Sequence, residues 1–153
     1  MKILIVEDQE LVAMIWERAL RPLSVRVILA ATMEEALRAM HEIPPPDLVF
    51  LDLHLPDSQT AESTLASIQT IKGLNPEVVI VVVTGLLTGE KIVELATAMG
   101  ADEFRFKQQM ESQAALWRVV KTALENRRGK PGGLVGEGID LIEKITRLLV
   151  DAA

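Results

Sequence analysis

The chain contains no cysteine, which excludes a disulfide framework, a thiolate metal site and a cysteine nucleophile. It also lacks an excess of positive charge: 16 Lys and Arg stand against 22 Asp and Glu, a net charge of −6, so nothing draws it to nucleic acid in general. The short basic run Arg127-Arg128-Gly129-Lys130 reads as a solvated linker. No uninterrupted apolar run approaches the roughly 20 residues that span a bilayer, and the ILIV that follows Met1-Lys2 is too short for a signal-peptide core. No glycine-rich loop follows that first apolar run, which argues against a nucleotide-binding module. Together these absences predict a soluble cytoplasmic protein with neither a nucleic-acid nor a membrane partner.

What remains is an ordinary globular composition, 49% hydrophobic and 25% charged over 153 residues, enough for one domain with a full core and a small appendage. Short β-branched runs alternate with segments of helical period. Strands are expected at 2–6, 25–30, 47–51, 78–83 and 103–106, and helices near 9–20, 32–42, 58–73, 89–99 and 110–127. Three of the strands are almost continuously apolar, as strands covered on both faces of a parallel sheet are. Thr32 with Glu35 makes a capping box at the second helix, and Gly100 follows the end of the fourth. Strict β/α alternation predicts a doubly wound five-stranded parallel sheet with helices on both faces. The triple proline Pro44-Pro45-Pro46 is read as stiffening the entry to the third strand.

In such a fold, ligands bind outside the carboxyl ends of the strands. The residues there are Glu7 and Asp8 after the first strand, Asp52 after the third, Thr84 and Gly85 after the fourth, and Lys107 after the fifth. Clustered carboxylates repel one another unless a cation intervenes, and an all-oxygen set suits a hard divalent ion, best guessed as Mg²⁺. Asp8 and Asp52 would bind the metal directly, and Glu7, one carbon longer, would reach it through water. A carboxylate beside Mg²⁺ can also attack a phosphoryl group to form an acyl phosphate. Asp52 is placed to do so, with Thr84 donating a hydrogen bond to the phosphoryl oxygens, Lys107 neutralising them and Gly85 leaving room for the donor.

The motifs KILIVEDQE, LVFLDLHLPD, VVVTG and GADEFRFK, in that order and each at the end of an expected strand, resemble those of a bacterial two-component response-regulator receiver domain. The resemblance covers about residues 2–127. It implies a flavodoxin-like fold, Asp52 as phosphoacceptor, Glu7 and Asp8 as the acidic pair, Thr84 as the switch hydroxyl and Lys107 as the lysine. Phe104 falls where the family places a rotating switch aromatic, and equally suits a plain apolar strand position. His54 and Leu86 fall at positions that tune the lifetime of the phosphoryl group. Leu86 cannot orient water, so slow self-dephosphorylation is expected. His54 is expected to lend its backbone carbonyl to the metal with its ring in solvent, and His41 to be a surface residue near a helix end. Two positions depart from the family pattern: Gln108 replaces the usual proline after the lysine, and PDSQTAEST has no glycine, so the start of the third helix is expected to be remodelled.

The chain is divided into a receiver at 1–127, a linker at 128–133 and an amphipathic helix at 134–153. On that helix Val135, Ile139, Leu141, Ile142, Ile145, Leu148 and Leu149 share one side, opposite Glu137, Asp140, Glu143, Lys144 and Arg147, with Asp140–Lys144 and Glu143–Arg147 as expected ion pairs. The apolar side must be buried on its own receiver, in a homodimer or on a partner. Trp117 and Leu124, seven apart on the fifth helix, suit either a signalling surface or a core stripe. About twenty residues after the linker are too few for a DNA-binding or catalytic output domain. The expected function is therefore a receiver-only response regulator, not an enzyme, phosphorylated on Asp52 by a histidine kinase or phosphotransfer protein and signalling by protein contact. The alternatives are a phosphorylation-independent adaptor acting through the last helix, and an Asp-nucleophile phosphatase, which would want an acid where His54 stands.

Overall fold

A computed structural model describes residues 1–58, 60–85, 90–129 and 136–151. Five strands, β1 (Lys2–Val6), β2 (Arg26–Ala30), β3 (Leu48–Asp52), β4 (Val79–Thr84) and β5 (Glu103–Phe106), pair in parallel in the order β2-β1-β3-β4-β5. The three central strands are buried along their whole length, which is why their sequences are continuously apolar rather than alternating. The edge strand β2 buries only Ala30 fully.

Among the described residues there are six α-helices, α1 (Glu10–Leu20), α2 (Met33–Met40), α3 (Ala61–Leu74), α4 (Glu90–Met99), α5 (Gln113–Arg128) and α6 (Glu137–Asp151). One core layer joins Ile3, Ile5, Phe50 and Val81 to α1, α5 and α6. The other joins Leu4, Val49, Leu51 and Val82 to α2, α3 and α4. Trp117 and Leu124 are buried in the first layer, and the Trp117 indole N–H donates to the Ala19 carbonyl at 2.8 Å, so both are core residues rather than a signalling surface. Gly100 ends α4 with φ +113, a conformation that favours glycine, and the next amide, of Ala101, returns to the Ala96 carbonyl at 3.0 Å.

Several boundaries differ from expectation for local reasons. α3 begins at Ala61 rather than 58, because Pro56 to Ser58 are spent in a turn closed by Ser58 N–H on Leu55 O, and Thr60 then caps the helix through Ser63 N–H at 3.1 Å. The capping box of α2 is offset: Thr32 Oγ1 accepts from Glu35 N–H at 3.1 Å, but Glu35 reaches back to Ala31 N–H instead of Thr32. The basic run does not start as a solvated linker. Arg127 lies inside α5, is 8% exposed and pairs at 2.7 Å with Glu77 in the loop before β4.

α6 packs against α5 and the short turn after α1, with Leu141, Ile142 and Ile145 buried beside Leu20, Leu23 and Leu124 and with Leu148 and Leu149 partly covered. The expected Asp140–Lys144 ion pair does not form: Lys144 donates to Ser24 Oγ at 3.2 Å, while Glu137 takes the N-terminal ammonium at 3.0 Å. Val135 lies outside the described residues, as does 130–133 of the expected linker.

Candidate functional site

The site grows out of the strand register. β1 lies between β2 and β3, so the crossovers leaving β1 and β3 run to opposite faces and open a crevice at the carboxyl ends of these two strands. Val6 pairs with Leu51, which brings Glu7, the next residue of one strand, beside Asp52, the last of the other. Thr84 ends β4 opposite Phe106, so Lys107, one residue further, enters from the far side. Four separate stretches of sequence are thereby brought to one sheet edge.

Glu7, Asp8 and Asp52 each offer a carboxylate oxygen within 4.8 Å of the others. Glu7 and Asp52 are buried, at 2% and 3% exposure, and Asp8 is exposed. The Lys107 ammonium donates to Glu7 Oε1 at 3.1 Å and to Asp52 Oδ2 at 3.4 Å. Glu7 Oε1 also accepts from Gln9 N–H at 3.2 Å, and Asp52 Oδ1 from His54 N–H at 3.1 Å. Glu7 Oε2 sits 3.0 Å from the ammonium as an ion pair but accepts no hydrogen bond, although it is buried.

One ammonium does not balance this cluster. Burial and the nearby Asp52 charge push the Glu7 carboxyl up to about 7, against the opposing pull of Lys107. Burial by itself would lower the Lys107 pKa, but its hydrogen bond to Glu7 and the charges of Asp52 and Glu7 outweigh it and raise the value. Three converging carboxylates, one of them carrying a buried oxygen without a hydrogen bond, suit a hard divalent cation.

Thr84 is fully buried at the end of β4. A Cβ placed on Gly85 would meet only the Lys107 stem, at 3.5 Å, so the glycine borders the lysine. His54 is exposed, as is His41 at the end of α2. Phe104 is half-buried, edge-on to Phe106 at 5.9 Å between ring centroids. Where Gln108 stands, the chain forms a 3-10 turn over Lys107–Met110, steadied by Gln109 Oε1 accepting from Phe106 N–H at 2.9 Å. Leu86 lies outside the described residues.

Two supporting residues were not anticipated. Thr64, in the first turn of α3, donates to Leu53 O at 3.0 Å and so ties down the residue after Asp52. Asp57 spans from the same loop to α2, its Oδ1 accepting from Met33 N–H at 2.9 Å and its Oδ2 from Glu34 N–H at 3.1 Å. Burial works against its ionisation, but these bonds and one from its own backbone amide hold its carboxyl below the usual range. Pro56-Asp57 signals a turn in sequence, but nothing there names α2 as the partner.

Beside Lys107, a groove is lined by Val12, Ile15, Trp16, Gln108 and Met110, and α1 exposes Leu11 and Ile15 next to it, at 70% and 50%. Among the described residues, no helix is long and apolar enough to cross a membrane.

The sequence matches the response regulator receiver domain family over residues 3–120. No match is found among curated proteins. Among solved structures, the chain is similar to the response regulator DrrB of Thermotoga maritima, an OmpR/PhoB homolog, with 28% identity, 81% of this chain and 52% of that chain covered, and a TM-score of 0.67. It is also similar to a response regulator from Burkholderia pseudomallei with a phosphorylated aspartic acid, calcium ion and citrate, at 26% identity over 99% of this chain and 85% of that one, with a TM-score of 0.61. A CheY-like receiver domain protein from Methanospirillum hungatei, 23% identical, shares the fold over 98% of this chain and 94% of its own, with a TM-score of 0.61.

Proposed function

The chain belongs to the response regulator receiver domain family, a family of phosphoacceptor signalling domains, and from that premise we propose that it is phosphorylated on Asp52 in an Mg²⁺-dependent reaction. The observation that carries this reading is the meeting of Glu7, Asp8 and Asp52 within 4.8 Å, with Lys107 bonded to two of them. Support comes also from the Burkholderia relative, described with a phosphorylated aspartic acid and a calcium ion.

Glu7, Asp8, Asp52 and the His54 carbonyl would hold the metal, which when bound supplies positive charge against the transferred phosphoryl oxygens. An Asp52 oxygen bonds to phosphorus as the donor's bond to phosphorus breaks and the leaving group departs with its electron pair. Lys107 then exchanges its contact with Asp52 for one with a phosphoryl oxygen, and the Thr84 hydroxyl donates to another. The displacement of Thr84 is what would let Phe104 move, and the altered surface is what a downstream protein would read. The donor, a histidine kinase or phosphotransfer protein, would dock on the exposed Leu11 and Ile15 of α1. Leu86, being apolar, cannot orient an attacking water, so hydrolysis is slow and Leu86→Glu speeds it.

The test is intact-mass analysis after incubation with acetyl phosphate, with Mg²⁺ or with EDTA, for the native chain and Asp52→Asn. One phosphoryl adduct that needs Mg²⁺ and is absent from the variant is expected. An adduct of equal yield in Asp52→Asn would contradict the reading, and no adduct from two different donors would favour the adaptor alternative.

A further inference from the structure

We propose that Asp57 is a positioning residue for the chemistry at Asp52: it straps the loop that follows β3 to the N-terminus of α2 and so holds the main chain of His54 against the Asp52 carboxylate. The inference rests on the reading of Asp52 as phosphoacceptor. The described residues between β3 and α3 are 53–58 and 60, and the two ends of this stretch are secured independently. At the near end Leu53 N–H donates to Val83 O at 3.0 Å and Leu53 O accepts from Thr64. At the far end Thr60 caps α3. Between them Leu55 is buried, Pro56 and Asp57 are exposed, and Asp57 accepts from Met33 and Glu34 of α2.

Those two bonds are not a redundant cap. Thr32, the helix's own cap, satisfies Glu35 N–H with its side chain, and its carbonyl takes Ala36 N–H at 3.0 Å. Met33 and Glu34 carry the two amides that Thr32 cannot reach, and Asp57 takes both with one carboxylate. The bidentate geometry fixes the orientation of the loop as well as its distance. His54, three residues away, donates its amide to Asp52 Oδ1 at 3.1 Å, so any shift of the loop changes which way the acceptor carboxylate faces.

A purely structural cap and a positioning strap are separated by comparing Asp57→Ala, Asp57→Asn and Thr32→Ala. All three weaken the start of α2, and Thr32→Ala does so without touching the loop. Three quantities are measured on the full chain: thermal midpoint, Mg²⁺ affinity, and the rate of adduct formation from acetyl phosphate with Mg²⁺ saturating. Amide exchange at His54 is followed without any donor. The expected result is that Asp57→Ala slows adduct formation about tenfold or more, weakens Mg²⁺ binding several-fold and speeds His54 exchange at least tenfold. Asp57→Asn, which keeps one acceptor oxygen, falls between, and Thr32→Ala lowers the midpoint while leaving the adduct rate, Mg²⁺ affinity and His54 exchange at native values. If Asp57→Ala lowers the midpoint as Thr32→Ala does yet phosphorylates within twofold of the native rate, Asp57 is only a cap and the proposal is overturned. A native chain that forms no adduct overturns the phosphoacceptor reading instead, and His54 exchange unchanged in Asp57→Ala then also removes the strap.

Discussion

Replacing Glu7 by Gln should make the metal-free protein more stable at alkaline pH, although it removes half of an ion pair. The buried Glu7 carboxyl titrates at about 7, against an ordinary 4.5. Below 4.5 it is protonated in both the folded and unfolded chains and costs nothing. As pH rises from 4.5 towards 7 the unfolded chain loses this proton while the folded one keeps it, so stability falls; above 7 the penalty is constant. The difference, at about 1.4 kcal/mol per pKa unit, is on the order of 3 kcal/mol. That value already includes the favourable pull of Lys107, which is why losing the ion pair does not reverse the sign. Gln mimics the protonated acid, so Glu7→Gln is expected to raise the midpoint by about 6–12 °C at pH 8 for a chain of this size, shrinking to a few degrees at pH 5. The assay is thermal unfolding by circular dichroism in EDTA at both pH values. Adding Mg²⁺ should close the gap at pH 8 by stabilising the native chain more than the variant. A Glu7→Gln protein no more stable than native at pH 8 in EDTA would refute the reasoning, because it would mean that Lys107 balances the cluster without a cation.

Ile145→Ala, at a fully buried position of α6, should cost about 2–4 kcal/mol in urea denaturation with a single transition, whereas a loosely attached helix would show almost no change. Lys72→Met should cost about 3 kcal/mol by the same measurement, because it removes one partner of a largely buried ion pair, the Lys72 ammonium lying 2.9 Å from an Asp102 side chain that is 1% exposed. The depressed Asp57 pKa contributes stability that is fully present above the ordinary Asp range and is lost as pH falls through the folded value. The stability gap between native and Asp57→Asn should therefore hold at neutral pH and narrow in acid; a gap independent of pH would contradict it.

The central strands were legible because burial on both faces leaves a continuous apolar run, and the end of each run marked a site residue. Asp52 shows this: a carboxylate closing LVFLD made sense only at the edge of the sheet. That Asp52 faces Glu7 and Lys107 followed from the doubly wound topology rather than from spacing, since 45 and 55 residues separate them. What was hidden depends on tertiary approach. Arg127 sits in a short basic run, and its ion-pair partner Glu77 lies fifty residues away in sequence. Asp57 reads as a turn residue until α2 is placed beside it. The apolar stripe of α6 required a cover, but no local pattern chose α5 and the turn after α1 over other surfaces.

The most direct test of the account is to trap the modified residue itself. The protein is incubated with Mg²⁺ and acetyl phosphate, the acyl phosphate is reduced with borohydride, and the reduced side chain is located by peptide mass spectrometry. Reduction confined to Asp52, and absent when EDTA replaces Mg²⁺, is predicted. Reduction at Glu7 or Asp8, or at Asp52 to the same extent without metal, would contradict the assignment of one phosphoacceptor served by an acidic metal pocket.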